Sequence, residues 1–154
     1  MSIPKPRRSL RRSNRGRGQA LVEFALVIPV FLLVLCGILD FGFMLFSRMT
    51  VINAAREAAR AAVIVSDTTT IPVLAPQTAQ SVAAGAGLGL LTSNTAVTCV
   101  AIKSLPSSCS FATKTSSQSG DAVSVTVTYP YKSFFPLLFG TTFNLSSTVQ
   151  MVLE

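Results

Sequence analysis

The chain has 154 residues, of which 49% are hydrophobic and 12% charged, with a formal net charge of +7 and no histidine. That is enough for one modest domain and marginal for two, and the low charge argues against an ordinary soluble domain. Without histidine, Ser-His and Cys-His nucleophile arrangements are excluded.

The charge is concentrated at the start. Seven of the 13 basic residues fall in the first 18 positions (Lys5, Arg7, Arg8, Arg11, Arg12, Arg15, Arg17), with no acid among them, while the other six balance the six acids. The basicity therefore belongs to a leader, residues 1–18, and not to a folded basic face. The leader has no aromatic residue for base stacking and runs straight into an apolar segment of membrane length, so nucleic acid is not an expected partner. Basic flanks hold their side of a span in the cytoplasm, which puts the rest of the chain outside.

Residues 19–46 read as the transmembrane half of a long first helix. Between Phe24 and Phe46 the only charge is Asp40, and sixteen residues are Leu, Ile, Val or Phe. These contribute roughly −5 to −10 kcal/mol to insertion, against about +2.5 to +3.5 for an Asp at the centre of the bilayer and less toward its edge. Insertion wins, with the lipid bilayer as a partner. Pro29 predicts a kink, because neighbouring helices re-satisfy the backbone group that it frees. Gly37 and Gly42 allow close backbone approach, although their spacing is not that of a GxxxG seam. Asp40 fits a contact to a partner subunit and a position near the outer interface equally well.

Four kinds of leader compete here. A secretory signal needs a shorter apolar core and a small-x-small cleavage site after it. Arg7-Arg8 and Arg11-Arg12 suggest a twin-arginine signal, but no apolar residues follow at the usual offset. Cys36 suggests a lipoprotein signal, but bulky Leu35 occupies the place of a small residue, and Cys36 reads as an inert apolar residue. The stretch Gly18-Gln19-Ala20-Leu21-Val22-Glu23-Phe24 resembles a type IV prepilin processing site. It is closer still to the TadE-like pseudopilins of the tight-adherence (Tad) pilus, through Glu23-Phe24-Ala25, the inner Pro29, Gly37 and Gly42, and the run from Ala54 to Arg60.

That resemblance implies cleavage after Gly18 by a prepilin peptidase, leaving Gln19 as the new N-terminus and Glu23 as the fifth residue. The other expected partners are further pilins and Tad assembly components. In a filament the freed α-amino group, with a pKa of about 8 in water, and the Glu23 carboxylate are both poorly solvated. Either alone is costly to bury, and a pair between staggered neighbours offsets part of that cost and sets their register. The plain alternative is a glutamate at the cytoplasmic lipid boundary, in contact with headgroup water.

Residues 47–66 read as the amphipathic half of the same helix, which should run from about 20 to 65. Asn53, Arg56, Glu57 and Arg60 form a polar stripe, with Ile52, Ala55, Ala59, Ala62 and Val63 facing elsewhere. Residues 67–154 read as a small extracytoplasmic α+β domain. Asp67 to Pro76 is expected as a loop, Pro76 opens a short helix ended by glycines, and a strand lies near Ala96 to Lys103. A second strand alternates through Val123, Val125, Val127 and Tyr129, and a third through Phe143, Leu145, Val149 and Met151. The expected fold is a long N-terminal helix packed on a mostly antiparallel three-stranded sheet. On the oxidising side of a membrane Cys99 and Cys109 close a loop of about ten residues, worth ~2–3 kcal/mol, or they stay as two buried thiols. Phe134, Phe135, Leu137, Leu138 and Phe139 form an apolar connection that caps the core, meets a neighbouring subunit or touches the bilayer surface.

Nothing in the pattern points to catalysis. The six acids are scattered, no Cys/His/Asp cluster suits a metal, and "GAGLGL" at 85–90 follows no strand, so no cofactor is expected. The sequence thus leads to a non-enzymatic minor pilin or pseudopilin that contributes to pilus biogenesis and adherence. It would sit in the bacterial cytoplasmic membrane with its N-terminus inside, and in the pilus after assembly. The rival is an uncleaved single-span membrane protein whose outer domain binds an envelope partner.

Overall fold

The computed structural model describes residues 15–65, 67–101, 111, 121–136 and 140–153, with side chains from Gly18 onward except at Thr68. Helix α1 spans Arg15–Ile64 and α2 spans Ile71–Gly85. Strands β1 (Thr95–Val100), β2 (Ala122–Lys132) and β3 (Thr142–Val152) form one antiparallel sheet in the order β1-β2-β3. The chain divides into two compact units, residues 1–38 and residues 39–154. The α+β expectation of a long apolar N-terminal helix and a small three-stranded antiparallel sheet holds.

The first unit contains the apolar stretch of α1. Leu21, Phe24, Leu26, Val30 and Phe31 are all exposed, and the helix runs unbroken through Pro29. From Gly18 onward α1 is long and apolar enough to cross a membrane, with a mean hydropathy of 2.7 in its most apolar window and no burial there. A helix that is apolar all round and not covered by protein is suited to lipid.

In the second unit α1 changes character. Asn53, Arg56, Glu57 and Arg60 are exposed, as their spacing predicts, while Val51, Ala54, Ala55, Ala58, Ala59 and Ala62 are buried. Ile52 and Val63 are only half-buried, because the packed face is centred on paired alanines. Alanine at these positions brings the helix axis close to its neighbours and fixes no side-chain rotamer. The core joins this face to Ile71, Ala75, Ala79 and Ala83 of α2 and to Val123, Val125 and Val127 of β2.

Two boundaries differ from expectation. The segment from Asp67 to Pro76, expected as a loop, forms a 3₁₀ turn at Thr68–Thr70 and the start of α2. Pro72 lies in the first turn of α2, where a missing N–H costs nothing. Pro76 does lose a backbone bond, and its burial together with Ile71 and Ala75 offsets that loss. The second difference is that Pro130, Tyr131 and Lys132, expected in the connection, extend β2. Strand β1 pairs with β2 only from Ala122 to Val127, so at Pro130 that side of β2 has no partner strand among the described residues. Pro130 faces Asn144 of β3 in register. Proline is compatible with a strand that is locally an edge.

Strand β3 pairs with the whole of β2, from Ala122↔Val152 to Lys132↔Thr142. Its inward residues Leu145, Val149 and Met151 are half-buried and Phe143 is exposed, so the helices cover β2 better than β3. Cys99, on β1, is disulfide-bonded. Its expected partner Cys109 lies outside the described residues, as do Leu137, Leu138 and Phe139.

Candidate functional site

The expected processing segment lies on the exposed surface of α1. Gly18, Gln19, Glu23 and Phe24 are all solvent-facing, and a methyl group added at Gly18 would meet nothing within 4 Å. Packing among the described residues therefore imposes no requirement for glycine there. Glu23 makes no hydrogen bond or ion pair among the described residues, so its carboxylate remains available to a group from outside. Gly42 is similarly open, with nothing within 4 Å of an added methyl group, and Gly37 is half-buried.

Asp40 is different. It is 4% exposed and is held by the end of β2 and the residues that follow. The Tyr131 hydroxyl donates to Asp40 Oδ1 at 2.5 Å and also lies 3.1 Å from the Asp40 carbonyl oxygen. Ser133 Oγ donates to Oδ2. The Phe134 N–H approaches Oδ1 at 3.4 Å, and the Phe135 N–H donates to Ser133 Oγ at 3.1 Å. One carboxylate thus ties down the entry of the β2–β3 connection.

The local sequence explains this arrangement. An acid in an apolar helix must find donors or remain in water. The extension of β2 past Val127 carries Tyr131 to it, with the aromatic body in apolar surroundings and the hydroxyl at the acid. Burial pushes the Tyr131 hydroxyl up to about 12, and the hydrogen bond to Asp40 and the charge there push the same way. Phe41, Met44 and Phe143 complete an apolar pocket around Asp40 and Tyr131.

The sequence left Asp40 between two intermolecular or interfacial roles; the structure gives it an intramolecular one. Tyr131 and Ser133 were missed, since 91 and 93 residues separate them from Asp40. The usable signal was chemical. A lone acid in an apolar run calls for O–H donors, and the chain has only two tyrosines. Nothing here resembles a reaction centre: the Asp40 oxygens are occupied by donors. Among the described residues no group of three or more Cys, Asp or Glu side chains could hold a metal.

Comparison with known proteins bears on the helix. No curated protein and no solved structure matches the chain. The family model described as TadE-like protein matches residues 18–60, from the expected processing glycine to the last arginine of the polar stripe. Residues 18–60 of this chain are thus similar to the TadE-like family.

Proposed function

We propose that the chain is a minor pilin or pseudopilin of a Tad-type pilus assembly system. The observation that carries this reading is the extent of the TadE-like match. It begins at Gly18 and takes in Glu23, the apolar span and the amphipathic half of α1 as one block. An exposed, membrane-length helix followed by a small domain supports a membrane-held precursor. In this reading the basic leader stays in the cytoplasm, residues 19–46 cross the bilayer, residues 47–66 dock on the sheet, and the domain to residue 154 stands outside.

A prepilin peptidase then cuts between Gly18 and Gln19. The exposed position of both residues supports access, and the lack of any packing demand at Gly18 supports a role in recognition. The freed amine of Gln19 in one subunit meets Glu23 of a neighbour, which sets the stagger between helices. Pro29, Gly37 and Gly42 act in the packing of those helices, and the assembled pilus serves adherence. The residues work by recognition and packing, with no catalysis.

Intact-mass and N-terminal analysis of the protein from its own host tests this. The expected mature chain begins at Gln19. A mature chain that retains Met1 refutes processing and favours the uncleaved membrane protein. Gly18→Ala should leave insertion unchanged and slow cleavage markedly. Glu23→Ala should still be cleaved but should not assemble, and normal filaments from it would remove the register role.

A further inference from the structure

Asp40 lies 22 positions beyond Gly18 on α1. About 20 helical residues suffice to cross a bilayer's hydrocarbon core, so Asp40 falls near the far end of a span that starts there. At this level the helix still shows Leu39, Phe41 and Phe43 to the outside. The β2–β3 connection is tied to the same level through Tyr131, Ser133 and the Phe134 N–H.

What the tie holds there is apolar. Phe134 is 66% exposed and Phe135 37%, so neither caps the core. The Phe134 ring meets Phe43 of α1 with centroids 5.5 Å apart. Leu39, Phe43, Phe134 and Phe135 line one hollow beside Asp40. The exposed apolar residues Leu39 and Phe43 of α1 and Phe134 and Phe135 of the connection thus form one surface. Lys132, exposed just before it, has a long apolar stem and an ammonium that suits phosphate headgroups at a membrane surface. The direct succession of Leu39 to Phe43 on the apolar run of α1 and this positive charge both point to lipid as what covers the patch.

We propose that Phe134 and Phe135 enter the non-cytoplasmic boundary of the bilayer beside α1, with Asp40, Tyr131 and Ser133 holding them at that depth. The sheet end at Lys132 and Thr142 then lies against the membrane. The opposite end, at Ala122 and Val152, is ten register steps away, about 33 Å along the strands. This rests on α1 crossing the membrane.

The chain has no tryptophan, so single tryptophans report depth without background. The full chain is reconstituted in phosphatidylcholine–phosphatidylglycerol vesicles whose acyl chains carry bromine at chosen depths. Leu33→Trp reports the middle of the span, Phe135→Trp the connection and Val152→Trp the far end of the sheet. Phe134→Trp serves as a second reporter in case Phe135→Trp fails to fold. The expected result is loss of Leu33→Trp emission with bromine deep in the chains. Phe135→Trp or Phe134→Trp should lose emission with bromine near the headgroups, and Val152→Trp should lose none. Quenching at 33 with none at 135 or 134 overturns the proposal alone. Absence of quenching at 33 overturns the span, and the proposal with it. A blue shift at 135 that grows with protein concentration, without quenching, assigns the patch to a second copy and overturns the lipid assignment.

Discussion

Removing the Tyr131 hydroxyl is the sharpest test of the Asp40 clamp. Tyr131→Phe keeps the ring and its packing, and deletes one donor to a carboxylate. A hydrogen bond to a charged partner contributes about 1.5–3 kcal/mol. Neither neighbour can replace it: the Phe134 N–H stands 3.4 Å from Oδ1 and Ser133 is committed to Oδ2. For a domain of roughly 100 residues that loss lowers Tm by on the order of 10 °C, read by scanning calorimetry of the full chain in detergent micelles. The pH dependence gives a second readout. The folded-state pKa of Tyr131, about 12, lies above the ~10 of an unfolded tyrosine, so the folded state keeps this proton longer. The stability it confers is complete below about pH 10 and is lost as pH rises through about 12. The phenylalanine variant has no such proton, so the gap between the two proteins should narrow over that window. If the variant melts within about 0.5 kcal/mol of the parent, the range of an inconsequential surface change, and the gap is flat with pH, the clamp does not hold the connection.

Three further outcomes follow from the packing. Ala58→Leu, at a fully buried position on α1, should cost about 1–3 kcal/mol by overpacking, whereas Arg56→Ala on the exposed stripe should leave the calorimetric transition unchanged. Cys99→Ser should lower stability by ~2–3 kcal/mol, and dithiothreitol should bring the parent protein down to the same value. Gly87→Ala, at φ +77°, should cost about 1 kcal/mol in chemical denaturation, since only glycine enters the left-handed region without strain.

What could be read in the sequence depended on how local its cause was. The polar stripe of α1 and the alternation of Val123, Val125 and Val127 follow from the periods of helix and strand, and both appear where expected. Pro72 and Pro76 misled because proline's effect depends on its offset from the helix start, and that start is fixed by burial of Ile71 against distant residues. The extension of β2 through Pro130 was hidden for a related reason: it lies beyond the stretch of β2 that pairs with β1, where a proline costs no ladder bond on that side. The Asp40 clamp was least legible. It joins two segments at opposite ends of the chain, and no periodicity within either one encodes the other.

Glu23 and Asp40 are the two acids of the apolar half of α1, and their surroundings separate their roles. A carboxylate left in an apolar environment without donors is costly, so each must be satisfied somewhere. Asp40 receives the Tyr131 and Ser133 hydroxyls from its own chain and is buried. Glu23 is exposed on a surface of leucine, valine and phenylalanine, and no described residue of its own chain serves it. An acid satisfied internally holds a domain in place and gains nothing from assembly. An acid that is not satisfied internally favours whatever external cation comes within reach. Cleavage after Gly18 would create such a cation four residues away on the same helix. An i, i+4 spacing puts both groups on one helix face, so the register role proposed for Glu23 requires the amine of a staggered neighbour to compete with that of its own chain. The contrast gives Asp40 a part in stability and leaves Glu23 for the association role proposed above. Asp40→Asn should therefore weaken the folded domain without changing cleavage, and Glu23→Gln should leave the calorimetric transition intact while filament yield falls. Exchange of those two phenotypes would refute the assignment.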